Sequence, residues 1–153
     1  MIRQGLSLLA VLATLGACTV PPGPPTTASQ GVPAPGLLAE VNGARAARGL
    51  PPLPQAGALD QAAATHAQDM SSKGYFAHEA PDGSTPLRRM RAAGFDACYA
   101  AETIARGQRT EAAVVEGWIN SPEHAALMFS RNPTAAGTGR AGTYWVMTLA
   151  RPC

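Results

Sequence analysis

Between Thr19 and Gly36 the chain reads TVPPGPPTTASQGVPAPG, and this stretch decides how much of the protein can fold. Proline fixes φ and removes a backbone donor, while glycine raises the entropic cost of ordering. The stretch has no apolar periodicity, and Val20 and Val32 are its only sizeable apolar side chains. It cannot bury a core, and residues 18–36 read as an extended, partly polyproline tether. The expected folded unit is therefore residues 37–153, enough chain for one domain and too little for two.

Residues 1–17, ahead of the tether, carry a basic Arg3, an apolar run from Leu6 to Leu15, and the small residues Gly16 and Ala17. This is the layout of a secretory signal, too short to span a membrane. Leu15-Gly16-Ala17-Cys18 resembles the bacterial lipobox, in which the cysteine becomes the lipidated first residue of the mature chain. An ordinary signal peptide and an uncleaved anchor are the alternatives. Lipidation at Cys18 predicts an exported protein of the cell envelope or periplasm, held to a membrane through the lipid, with the tether as spacer. It also accounts for an odd count of three cysteines. Cys98 and Cys153 remain in an oxidising compartment, where a disulfide is favoured over a nucleophile with a spare thiol.

Within the domain, helical patterns come first and strand patterns last. Leu37, Leu38, Val41 and Ala44 form one stripe that ends before Gly49, Pro51 and Pro52. Leu59, Ala63, His66 and Met70 mark a second helix over residues 58–72, closed by Gly74. Ser84 or Thr85 caps a third, with Pro86 in its first turn and Gly94 beyond its end. Thr110 caps a fourth through Ile119, and Ser121-Pro122 starts a fifth that ends near Phe129. The tail reads as a hairpin: residues 135–139, a turn at Arg140-Ala141-Gly142, then residues 143–149. Helices with a small antiparallel sheet make the class α+β.

Twelve Lys+Arg against ten Asp+Glu leave a net charge of +2, and no basic cluster interleaves with aromatics. A nucleic-acid partner is thereby excluded. No G-x-S-x-G, H-E-x-x-H, P-loop or G-x-G-x-x-G occurs. Three polar residues stand out. His78 follows Tyr75-Phe76 and precedes the turn Pro81-Asp82-Gly83. Glu102 is the one carboxylate in an uncharged stretch, and unless solvated it needs a partner. His124 lies in the first turn of the fifth helix, where the dipole favours the neutral imidazole that binds a metal or accepts a proton. Two histidines and a glutamate could hold Zn2+. His78 could equally be a structural hydrogen-bonder, and His66, on its helix's apolar stripe, reads as a core or boundary residue.

The ordered set Tyr75-Phe76-Ala77-His78, Pro81-Asp82-Gly83, Ala101-Glu102-Thr103-Ile104, Trp118-Ile119-Asn120-Ser121-Pro122-Glu123-His124 and Tyr144-Trp145 resembles the bacterial branch of the CAP superfamily. That family comprises the cysteine-rich secretory, antigen 5 and pathogenesis-related 1 proteins. The resemblance implies an α-β-α sandwich with about three antiparallel strands between helices, and an open cleft lined by His78, Glu102 and His124. Some family members hold a divalent metal such as Zn2+ in that cleft, and others bind apolar ligands. Here Ser121 stands where eukaryotic members carry a second glutamate, and Tyr144 where they carry a strand histidine. Apolar Val146 and Met147 replace Thr and Gln. A cleft so depleted of polar groups is expected to bind a small apolar or envelope ligand, as a monomeric binding or interaction module. The alternative is a zinc-dependent hydrolase of envelope material.

Overall fold

The computed structural model describes residues 31–153. Chain order is β1 (Val32–Pro33), α1 (Pro35–Ala46), α2 (Gly57–Lys73), α3 (Pro86–Ala92), β2 (Ala97–Arg106), α4 (Glu111–Ile119), α5 (Pro122–Met128), β3 (Ala135–Ala141) and β4 (Tyr144–Pro152). The strands form one antiparallel sheet in the order β1-β3-β4-β2.

Side-chain alternation along β4 builds three layers. Trp145, Met147 and Leu149 point to one face, where they pack with Leu37, Val41, Val114, Trp118 and Met128 from α1, α4 and α5. Val146 and Ala150 point to the other, toward Leu59, Ala63, Met70 and Met90 from α2 and α3. The sheet is thus sandwiched between helices, the α+β architecture that the resemblance implies. It has four strands rather than about three. The additional strand, β1, and the first two residues of α1, Pro35 and Gly36, lie inside the stretch read as a tether. Val32 and Pro33 pair with Arg140 and Gly139, and an edge is where proline's missing donor costs nothing. Cys18 and the rest of the leading segment lie outside the described residues.

The helix signals locate their elements closely. Gly74 closes α2 at φ 72°, and the Thr85 and Thr110 hydroxyls accept from the Arg88 and Ala113 amides at the starts of α3 and α4. The hairpin turn falls two residues later than expected, at Gly142-Thr143. Gly142 takes the positive φ (59°) at its first central position, a place suited to glycine in a two-residue hairpin. Arg45, read only as a residue of the first helix, is fully buried. Its guanidinium donates to the carbonyls of Pro51, Met128 and Ser130, tying α1 to the end of α5.

Cys98 and Cys153 form a disulfide, with Cα atoms 4.7 Å apart. Cys98 sits at an irregularity in the β2–β4 register between Ala97 and Tyr99, and the Cys153 amide donates to the Asp96 carbonyl. The bridge closes a sequence separation of 55 residues. On the chain-entropy account a loop of that size contributes about 4 kcal/mol.

Close approach of α2 to β3 depends on small residues at the contact. Gly137 faces the backbone of Leu59 and Asp60, and Gly139 faces that of Ala63 and Ala64. A Cβ at Gly139 would overlap the Ala64 main chain, which cannot swing aside as a side chain could. We expect Gly139→Ala to lower stability by about 3 kcal/mol, the upper end for overpacking. Gly43→Ala, inside α1 with open space at its Cβ position, should instead raise stability by about 0.5–1 kcal/mol. Chemical denaturation checks both.

Candidate functional site

β2 is an edge strand of the sheet, and Glu102 lies near its middle. The strand's even-numbered residues face α2 and α3: Ile104 packs with Ala63, Ala67 and Met70. Glu102 therefore enters the same layer, where its side chain is only 1% exposed. Both of its oxygens are engaged. Oε1 accepts from Nδ1 of His78 at 2.9 Å, and Oε2 accepts from Nη2 of Arg89 at 2.9 Å. The fully buried His66 imidazole places Nε2 3.7 Å from Oε1, and that nitrogen lies 3.0 Å from the Ala77 carbonyl.

Arg89 does more than balance the charge. The same guanidinium donates to the carbonyls of His78 (2.8 Å) and Ser84 (2.7 Å). These carbonyls flank the turn that joins α2 to α3, which is tightened by Gly83 N–H to Ala80 O and by the Ser84 amide to Asp82 Oδ1. One side chain of α3 thus holds the loop that presents His78 to the carboxylate. In the neutral imidazole, donation from Nδ1 leaves Nε2 as the free nitrogen on a side chain 51% exposed.

His124 comes from the opposite helical layer. Its Nδ1 shares a 2.8 Å hydrogen bond with the Ser121 hydroxyl, and its ring lies 6.4 Å from that of Trp118. Burial first, then the charge of His78, push its pKa below the ordinary histidine value. His124 sits on α5, which packs against β2, the edge strand that carries Glu102. Among the described residues, however, no three His, Cys, Asp or Glu side chains gather closely enough to hold a metal ion. The donor set as folded does not fit a metal centre, because a guanidinium cation already holds the carboxylate that would be its anionic ligand.

Tyr144 stands at one end of this region. Its ring lies 6.5 Å from the exposed Phe76 ring, and the Arg106 guanidinium lies 5.3 Å and 5.8 Å from Phe76 and Tyr144. The site is thus an open face with a carboxylate–imidazole pair at its centre and an aromatic–cation cluster beside it. A wider depression of about 510 Å3 runs along α2, walled by residues such as Gly31, Gln61 and Thr65, and touches none of the candidate residues.

Arg89 and His66 are the site residues that sequence reasoning did not assign. The available signal for Arg89 was the need of Glu102 for a partner. The choice among Arg88, Arg89 and Arg91 is made by which of them α3 turns inward.

The sequence model of the cysteine-rich secretory protein (CAP) family matches residues 38–148. The chain belongs to this family. The uncharacterised protein YkwD of Bacillus subtilis is 36% identical over 106 residues, covering 68% of this chain and 41% of YkwD. The chain thus spans about two fifths of that relative's length. An extracellular protein of Bacillus anthracis with an SCP domain superposes with a TM-score of 0.74 at 25% identity, over 76% of this chain and 39% of that one. An outer surface protein of Borrelia burgdorferi gives a TM-score of 0.71 at 22% identity, over 76% and 90%. This last likeness concerns the fold alone.

In this CAP domain the buried His66 carries a stability consequence. Burial pushes its pKa down, outweighing the attraction of Glu102 and adding to repulsion from Arg89. On its own helix Asp69 also faces it, and Tyr75 Oη lies 3.5 Å from its Nδ1. A base with a lowered folded pKa binds fewer protons folded than unfolded. Its stabilising effect is complete above the ordinary value of about 6.5 and is lost as pH falls through it. Each unit of depression corresponds to about 1.4 kcal/mol. The melting temperature should drop between about pH 7.5 and about pH 5.5. In His66→Gln, where the amide can still donate to Ala77 O, the drop should be shallower, with the remainder carried by His124. An unchanged slope would remove His66 from the account.

Proposed function

We propose that the protein is an exported, lipid-anchored CAP-domain binding module. The face around His78, His124 and Tyr144 receives a small apolar or cell-envelope ligand. The observation that carries this reading is the saturation of Glu102. With one oxygen on Arg89 and the other on His78, the carboxylate is a fixed part of the wall rather than an open metal ligand or a water-activating base. Exposed Phe76 and partly exposed Tyr144, bridged by Arg106, supply apolar and cationic contact area at the rim. Export is supported by the signal-like residues 1–17 and by the similarity to an extracellular protein of Bacillus anthracis. No described helix is long and apolar enough to cross a membrane, and in this reading attachment is through Cys18, spaced by the proline-rich stretch.

The metal-dependent hydrolase is the competing reading, and it would require Arg89 to give up Glu102. Elemental analysis of the purified protein after equilibration with Zn2+ separates the two. The binding-module reading expects far less than one zinc per chain, and no loss of bound metal in His78→Ala. A stoichiometric zinc that His78→Ala and His124→Ala both abolish would establish the alternative. For the anchor, Cys18→Ser should shift the protein from the membrane to the soluble fraction. A mature N-terminus other than a modified Cys18, read by mass spectrometry, would refute it.

A further inference from the structure

Apolar side chains and unpaired cations gather at the end of the sheet that carries the β3–β4 hairpin. Among the described residues, the exposed large apolar side chains are Val32 (51%) and Phe76 (42%), and both lie at this end. Val32 pairs with Arg140, which pairs in turn with Trp145, and the Arg140 guanidinium lies 4.2 Å from the Trp145 ring centroid. Phe76 neighbours Tyr144, the first residue of β4, and Arg106, the last of β2. Successive residues of a strand point to opposite faces, so Trp145 and Tyr144 place one apolar–cation group on each face of the sheet. Arg109 is exposed on the loop after β2, which Gly107 N–H to Thr143 O and Trp145 Nε1–H to Gln108 O tie to the hairpin.

The cations here lack anionic partners. Arg106, Arg109 and Arg140 enter no ion pair with a described residue. Residues 1–36, 104–110 and 138–146 contain no Asp or Glu. Glu111, the nearest carboxylate in sequence, lies against Gly36.

Chain direction adds a second observation. β1 runs antiparallel to β3, and its first residue, Val32, sits opposite Arg140 near the hairpin. The chain therefore enters the sheet at its hairpin end. Cys18 lies 14 positions before Val32, at most about 50 Å of extended chain. A lipid on Cys18 would hold the domain by the end that carries the three arginines. On so short a leash the effective concentration of a second contact is about millimolar, and a weak surface affinity suffices.

We propose that the hairpin end of the sheet is a docking surface for an anionic lipid bilayer. Arg106, Arg109 and Arg140 meet the lipid phosphates, and Val32 and Phe76 meet the apolar boundary beneath them. The guanidinium fork matches phosphate oxygens, and aromatic side chains beside cations suit a layer that is wet above and apolar below. The proposal rests on the anchored reading above for the presence of the bilayer, and it gives the rim of Phe76, Tyr144 and Arg106 its partner. Phe76 is two residues from His78, so the site opens beside the headgroups.

The test is sedimentation with vesicles of the chain from residue 18 onward, carrying Cys18→Ser and hence no lipid. That chain contains every described residue. It should bind vesicles of phosphatidylglycerol and phosphatidylcholine in equal parts, bind phosphatidylcholine alone about tenfold more weakly, and be released by salt. Each arginine near an anionic surface is worth about fivefold in partitioning, so Arg106→Gln with Arg109→Gln should weaken binding about twentyfold. Arg131→Gln with Arg151→Gln removes the same charge at the opposite end of the sheet, and should change binding by less than about twofold. Phe76→Ser, which removes no charge, should weaken binding about threefold or more; unchanged melting temperatures show that each variant folds. No binding to the anionic vesicles, or an equal loss in the two arginine pairs, would overturn the proposal. Inorganic polyphosphate bound as tightly as the vesicles, with Phe76→Ser without effect, would assign the surface to a soluble anion and overturn the bilayer. The test chain carries no lipid, so its result is independent of whether Cys18 is modified, which mass spectrometry of the mature N-terminus reads.

Discussion

The contact on which the rest of the site depends is the buried ion pair between Arg89 and Glu102. It joins α3 to an edge strand, and through the His78 and Ser84 carbonyls it also fixes the loop between α2 and α3. Both charges are withdrawn from water, so neither tolerates loss of the other. Removing one partner of such a pair typically costs about 3–5 kcal/mol, because an uncompensated charge is left inside. The position of His78 is a consequence of this pair rather than an independent feature of its loop.

Edge location explains why side chains from both helical layers reach one region. A strand inside the sheet would have neighbours on both sides, and the two helical layers would be kept apart. At β2 the sheet ends, and residues from the α2–α3 loop and from α5 approach around that edge. The edge itself is partly covered: Trp118 Nε1 donates to the Ile104 carbonyl at 3.2 Å, which removes one acceptor from an otherwise available strand edge. The disulfide then holds the far end of the same strand to the end of β4. Stability and the shape of the site are therefore carried by the same ten residues of β2.

Local chemistry was readable where one residue type has one dominant use. Thr110 as a cap, Gly74 at positive φ and Pro86 in a first turn located three helix ends without tertiary knowledge. The arithmetic of three cysteines anticipated the Cys98–Cys153 bridge. Strand β2 was not readable from its own pattern, because ACYAAETIAR is alanine-rich and lacks a period of two; burial against two helical layers makes it a strand. Strand β1 was hidden for the opposite reason. Its composition argues against structure, and only pairing with Arg140 and Gly139 orders it. In the site, His78 and Glu102 were nameable from the family resemblance, and they meet. The meeting of Arg89 with Glu102 spans 13 residues and two elements, and nothing local in three nearby arginines selects it.

A double-mutant cycle on Arg89→Met and Glu102→Gln, read as unfolding free energy, tests the central claim most directly. If the pair organises the site, Arg89→Met alone should cost about 3–5 kcal/mol. The double variant should then recover a large part of that loss, giving a coupling energy well above the ~0.5 kcal/mol expected of independent sites. Two single effects that simply add would contradict the account, and would leave Arg89 and Glu102 as neighbours without energetic connection.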